Sequence, residues 1–293
     1  MAAQSPMMAG IGLTILAYFI FSFHDAAIKW LVATVPVWQI LFFRSIVILI
    51  GCVAVGRGAL LMRAVDTPIK RQLMLRGFVI FAGWVCYYSA ARDLQLAELT
   101  TLYFAAPILV TVLAIPMLGE QVTGWRWAAV LLGFVGVVVA CNPVGLGLSW
   151  PVLLAMFATL LWAFAIVLIR RIAMKESALL QMIYGNSFHL ACSAVALLFF
   201  WRTPSAFELA LMLGCGVFGG LGQFALFEAM RRAPASVLAP FEYTALVWAF
   251  VLGFAIWADV PRPEVFIGAG LILAAGLLMI AVGRGVATKA PAR

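Results

Sequence analysis

The chain is short of almost everything that a water-soluble protein or an enzyme uses. Only 10% of its 293 residues are Asp, Glu, Lys or Arg, and mean hydropathy is +1.13, which excludes a soluble domain. There are two histidines, His24 and His189, far apart in sequence, and the carboxylates within apolar runs stand singly. No catalytic set of the kind a membrane enzyme needs is therefore expected, neither paired Asp-rich motifs with a metal nor a Ser/His or Asp/Asp dyad. The five cysteines, Cys52, Cys86, Cys141, Cys192 and Cys215, have neither metal-ligand spacing nor the pattern of a secreted framework, and read as small core residues. No lysine lies deep in an apolar run, which removes the Schiff base of a retinal-type photoreceptor. No Lys or Arg precedes Lys29, and no polar mature domain follows the first apolar run, so that run is expected to be a retained span and not a signal peptide. No cofactor or metal is expected.

What is present is apolar sequence in repeated blocks, 66% hydrophobic residues in all. Windows of roughly 18 to 25 residues, each long enough at ~1.5 Å per residue to cross a hydrocarbon core of ~30 Å, recur end to end. They fall at 8–33, 36–56, 73–92, 96–118, 125–141, 149–170, 178–200, 207–230, 235–257 and 263–283. The runs lack an alternating polar face and are too long for barrel strands, so an all-α integral membrane protein of ten transmembrane helices is expected.

The net charge of +8 does not point to nucleic acid, because the basic residues cluster in alternate connections. With the N-terminus in the cytoplasm, fourteen of the 19 basic side chains fall inside: Arg57, Arg63, Lys70, Arg71, Arg76, Arg126, Arg170, Arg171, Lys175, Arg231, Arg232, Arg284, Lys289 and Arg293. Lys29, Arg92, Arg202 and Arg262 fall outside, and Arg44 lies within a span. The positive-inside rule then puts both termini in the cytoplasm. Nucleic-acid binding would need basic and aromatic residues on one solvated surface, and the expected partners are a lipid bilayer and a small molecule.

The chain also repeats itself about 140 residues apart. The stretch SAARDLQLAELTTLYFAAPILVTVLAIPMLGEQ in the first half answers to EAMRRAPASVLAPFEYTALVWAFVLGFAIWADV in the second, so that Arg92 falls on Arg231 and Glu120 on Asp259. Gln39, Arg44 and Ser45 fall on Gln181, Asn186 and Ser187 in the same way. Five spans per half is an odd number, so the second copy enters the membrane in the opposite sense. Two inverted five-helix repeats are expected, 1–148 and 149–293, a construction common in transporters with the substrate site between the halves.

These landmarks resemble a known family. Five spans per half, Pro107 twelve residues before Gly119 and Glu120, and the glycine-spaced fifth span with Gly133 and Gly136 are similar to the EamA-type repeat of the drug/metabolite transporter superfamily. The second copy continues the pattern through Trp162, APFEYTALVWAF, Gly268, Gly270 and Gly276, with Leu246 in place of the proline and Asp259 in place of the glutamate. The resemblance implies a secondary transporter in a bacterial inner membrane, working by alternating access around a cavity lined by spans 1 to 4 and 6 to 9, with spans 5 and 10 peripheral. Within the superfamily, a ten-span bacterial protein of this length is similar to exporters of amino acids, aromatic ones included. An uptake carrier for a cofactor, nucleoside or drug-like compound is the alternative.

Ionisable residues inside a span carry function or pair with one another. Asp25 and Arg44 each lie about eight residues from the external ends of spans 1 and 2, roughly 12 Å deep. They either close the helical hairpin as a buried pair, beside His24 and with Lys29 one turn away, or leave Arg44 to hold a substrate carboxylate in bidentate fashion. Glu242 follows Pro240 and precedes Tyr243, where proline frees backbone carbonyls toward a cavity; it can take a substrate ammonium, carry a proton, or be held by a neighbouring tyrosine or backbone group. Trp84, Tyr87, Tyr88, Tyr103, Phe104, Trp162, Asn186, Tyr243 and Trp248 complete the expected substrate contacts. His24, Asp25, Pro107 and Pro240 are expected to be structural or gating residues. Glu228 is expected to pair with Arg231 and Arg232 at the surface, and the glycines from Gly214 to Gly222 to let helices approach closely.

Overall fold

A computed structural model describes residues 4–119, 124–141, 149–238, 241–242, 244–258, 260 and 263–287. These residues form twelve α-helices and no strand. In chain order they are α1 Gln4–Val32, α2 Val37–Asp66, α3 Lys70–Ala90, α4 Leu96–Tyr103, α5 Ala106–Leu118, α6 Gly124–Cys141, α7 Trp150–Ala173, α8 Ala178–Phe200, α9 Ala206–Arg232, α10 Ala235–Leu238, α11 Thr244–Trp257 and α12 Pro263–Ala287. Six are long and apolar enough to cross a membrane, namely α1, α2, α3, α7, α8 and α9. The other four expected spans contain shorter apolar helices: Ala106–Leu118, Trp127–Gly136, Val247–Trp257 and Phe266–Ala275.

The chain breaks where its chemistry demands it. The expected span 96–118 is two helices, because Pro107 near the start of α5 has no N–H to donate and its ring crowds the carbonyl of Tyr103, four residues back. Within span 235–257 the described residues form α10, a short turn at 241–242 and α11; Pro240 and Tyr243 lie outside the described residues, as do Glu120 and Asp259. In α2 the helix leaves regular geometry at Arg57 (φ 53°, ψ −164°), next to Gly56 and one residue past the predicted end of the span, and then resumes to Asp66. Serines cap α8 and α9: Ser177 Oγ accepts from the Leu180 amide at 3.3 Å, and Ser205 and Glu208 form a reciprocal capping box at the start of α9.

Helices pair α1 with α9, α2 with α8 and α9, α3 with α7 and α6 with α12. The α9 glycines make the close approaches expected of them. A Cβ on Gly216 would stand 2.5 Å from Val47 Cβ, and one on Gly222 2.7 Å from the Phe21 ring, whereas Gly214 faces open space. Polar bridges join α2 to the second half at both of its ends. Near one end Gln39 donates to the Arg202 carbonyl at 2.8 Å, and Arg202 meets Glu208 at 3.1 Å. Near the other, Glu176 accepts from Arg63 at 3.0 Å and from Thr67 at 2.6 Å, and the Tyr184 hydroxyl donates to the Ala64 carbonyl. Glu228 binds Arg231 and Arg232, each at 2.8 Å. Large apolar side chains such as Leu198 and Phe199 and the tryptophans Trp125, Trp150 and Trp201 are exposed, as lipid-facing and interfacial residues are.

One basic residue assigned to a cytoplasmic connection is not there. Arg76 is fully buried, because α3 starts at Lys70 and carries Arg76 about 9 Å into the bundle at 1.5 Å per residue.

Candidate functional site

A small cavity opens between α1, α3, α4, α7 and α11, with about 50 Å³ of room for water-sized molecules. Helical periodicity builds its wall. Tyr18, Phe21 and Asp25 come from one face of α1, Ile80, Gly83, Trp84 and Tyr87 from one face of α3, and Ala158 and Trp162 from consecutive turns of α7. Tyr103, at the α4–α5 break, and Ala245 on α11 complete it. At Gly83, where α3 lies against α7, an added Cβ would meet Leu161 at 3.5 Å, an ordinary contact. No described residue of α6 or α12 belongs to the wall.

Four of the rings form a closed circuit. Centroids are 6.0 Å apart for Trp84 and Tyr87, 5.7 Å for Tyr87 and Tyr103, 5.8 Å for Tyr103 and Trp162, and 6.1 Å for Trp162 and Trp84. Two carboxyl groups border this box. Asp25, whose side chain is 25% exposed, takes His24 Nδ1 at 3.0 Å on one oxygen and the Tyr87 hydroxyl at 3.5 Å on the other. Glu242, 2% exposed, accepts from Trp162 Nε1 at 3.0 Å. An aromatic enclosure bordered by negative charge is suited to an organic cation, through the negative ring faces and the carboxylates together.

Arg44 and Asp25 do not form the pair that their depths suggested; no ion pair joins them among the described residues. Consecutive residues on a helix project about 100° apart, so Asp25 turns to the cavity while His24 turns toward α2 and α9. There Arg44 stacks on Trp84, its guanidinium carbon 4.9 Å from the ring centre. Lys29, one turn from Asp25, donates to the Leu94 carbonyl at 2.8 Å.

Of the expected substrate contacts, Trp84, Tyr87, Tyr103 and Trp162 stand in the wall. Tyr88 is fully buried behind it, with its hydroxyl 3.4 Å from His24 Nε2. Phe104 packs with Ala269, Trp248 lies edge-on against Phe19 at 4.7 Å, and Asn186 bonds the Gln223 side chain at 3.0 Å. Pro107 is buried at the start of α5, and the Thr111 hydroxyl donates to its carbonyl. Tyr18, Phe21 and Ala158 were not singled out from the sequence. The i, i+3, i+7 spacing of Tyr18, Phe21 and Asp25 is the signal that marks them.

Comparison with known proteins decides the family. The model of the EamA-like transporter family matches residues 8–141 and again 149–281. The chain belongs to the EamA-like transporter family. This EamA-type protein is 28% identical over 275 residues to an S-adenosylmethionine uptake transporter of Rickettsia bellii, covering 92% of this chain and 93% of that one. It is 27% identical to a pseudopaline exporter of Pseudomonas aeruginosa, over 95% and 98% of the two chains. A riboflavin transporter of Vibrio cholerae is 25% identical over 68% of each. A protein crystal structure of 19% identity matches 97% of this chain and 99% of its own with a TM-score of 0.74, a likeness of fold. The chain is a multi-pass membrane transporter and not an enzyme.

Proposed function

We propose that this EamA-type protein exports amino acids or related small amphipathic metabolites across a bacterial inner membrane by alternating access. Both termini are cytoplasmic, and the chain comprises two inverted repeats of five helices, 1–148 and 149–293, which form ten spans. The observation that carries the substrate class is the closed ring of Trp84, Tyr87, Tyr103 and Trp162 bordered by Asp25 and Glu242. A substrate ammonium sits in the box against Asp25, and the flat or apolar remainder lies along the aromatic wall. The helix break at 104–105 supplies a bending point for alternating access.

The relatives named for S-adenosylmethionine uptake and riboflavin transport support a second reading, uptake of a cofactor-like metabolite. S-adenosylmethionine combines an amino-acid end, a sulfonium and a flat base, and a sulfonium is a cation of the kind that aromatic faces attract. Purified protein in liposomes separates the two. Efflux and counterflow of a loaded amino-acid mixture supports the first reading. Counterflow of S-adenosylmethionine with no amino-acid flux supports the second, and flux of neither removes both.

A further inference from the structure

Two fully buried guanidinium groups, Arg44 and Arg76, leave a charge balance unclosed. Among the described residues no carboxylate forms an ion pair with either, and the interior acids are engaged elsewhere: Asp25 with His24, Glu176 with Arg63, Glu208 with Arg202, Glu242 with Trp162. Arg76 donates to the Gln181 carbonyl and stacks 4.8 Å from the Phe227 ring centre. Arg44 has less. Its Nε, Nη1 and Nη2 are all buried and meet no hydrogen-bond acceptor among the described residues. A guanidinium has five N–H donors and no means of losing its charge, and inside a bilayer such a group faces a functional partner or an ion.

Arg44 is absent from the cavity lining, whereas Trp84, on which it stacks, belongs to it. One part of its indole lines the wall, Arg44 stacks on the ring at 4.9 Å, and the indole nitrogen is buried with no hydrogen-bond partner among the described residues, so no hydrogen bond pins the ring. Gly219 provides the space for the guanidinium against α9, since a Cβ there would stand 2.8 Å from Arg44 Nε. We propose that Arg44, screened by Trp84, is an anion subsite of the cavity that takes one group of carboxylate or small inorganic anion chemistry. Rotation of the indole brings the guanidinium fork to the cavity. The inference rests on the reading of the cavity as a transport site only for its consequence, that the preferred substrate is a zwitterion with its ammonium near Asp25 and its carboxylate on Arg44. The anion subsite itself is tested without transport.

Purified protein in detergent is titrated with sodium nitrate or sodium acetate against a gluconate background at constant ionic strength, reading tryptophan fluorescence and melting temperature. A saturable response is expected in the wild type. Arg44→Gln weakens it about tenfold or more, and Arg44→Lys weakens it less because charge remains while the fork is lost. Trp84→Phe removes the fluorescence change and keeps the thermal one. If Arg44→Gln fails to fold, Arg44→Lys and Trp84→Phe carry the test. Phenylalanine displacing nitrate while 2-phenylethylamine does not identifies the anion as a substrate carboxylate. Nitrate that neither displaces identifies a resident inorganic anion; both outcomes support the subsite. No saturable response in the wild type, or an unchanged one in Arg44→Gln, overturns it. Absence of flux with an intact nitrate titration counts against the proposed function alone.

Discussion

Replacing Trp162 with Phe and with Ala separates the two things this residue does. Its indole closes the aromatic box, 6.1 Å from Trp84 and 5.8 Å from Tyr103, and its Nε1 donates to Glu242 at 3.0 Å. Phe keeps a ring and removes the donor. Glu242 is 2% exposed, so leaving this buried acceptor short of a partner costs about 1 to 3 kcal/mol. The lower part of that range applies, because the Tyr18 hydroxyl stands beside the same carboxyl group. Ala removes the ring as well. One cation–π face contributes about 0.5 to 2 kcal/mol, so Trp162→Ala weakens a cationic ligand about 2- to 30-fold, whereas Trp162→Phe weakens it about threefold at most. Melting in detergent reads the first effect, and concentration-dependent counterflow in liposomes reads the second. The double variant Trp162→Phe with Glu242→Gln recovers part of the stability loss, with a coupling of about 1 kcal/mol or more. Unchanged affinity in Trp162→Ala, together with strictly additive stability losses in the Phe and Gln variants, would refute both the box and the hydrogen bond.

Gly216→Ala destabilises by about 1 to 3 kcal/mol through overpacking against Val47, while Gly214→Ala, facing open space, is neutral or slightly stabilising because alanine is the better helix former; equal melting temperatures for the two variants would contradict the α9 packing. Pro107→Ala allows α4 and α5 to join across 104–105 and lowers turnover in liposomes several-fold with melting unchanged or raised, whereas unaltered turnover removes the hinge role. A reporter fused after Arg293 is active only as a cytoplasmic marker, and one inserted near Gly145 only as an external one. The opposite pattern reverses the orientation.

The sequence by itself determined the solvent, the helical class and the family. Charge at 10% and apolar runs of membrane length leave the backbone no alternative to internal hydrogen bonding, which a helix satisfies within its own segment. Pro107 and the α9 glycines were legible for the same reason: a missing donor breaks a helix, and a missing Cβ admits a neighbour, whatever the fold. The aromatics of the box were legible as a set, but not apart from Tyr88, Phe104 and Trp248, which share their composition and depth and pack elsewhere. Asp25 and Arg44 carried the clearest lesson. Their depth follows from counting residues, and depth alone suggested a pair. Which way each side chain points depends on the rotation of α1 and α2 about their axes. That rotation is set by residues from other parts of the chain, among them Gly219 on α9, which leaves room for Arg44, and Trp84 on α3. Only the tertiary structure fixes it, because a step of one residue on a helix turns a side chain through about 100°, enough to send Asp25 to the cavity and leave His24 and Arg44 behind its wall.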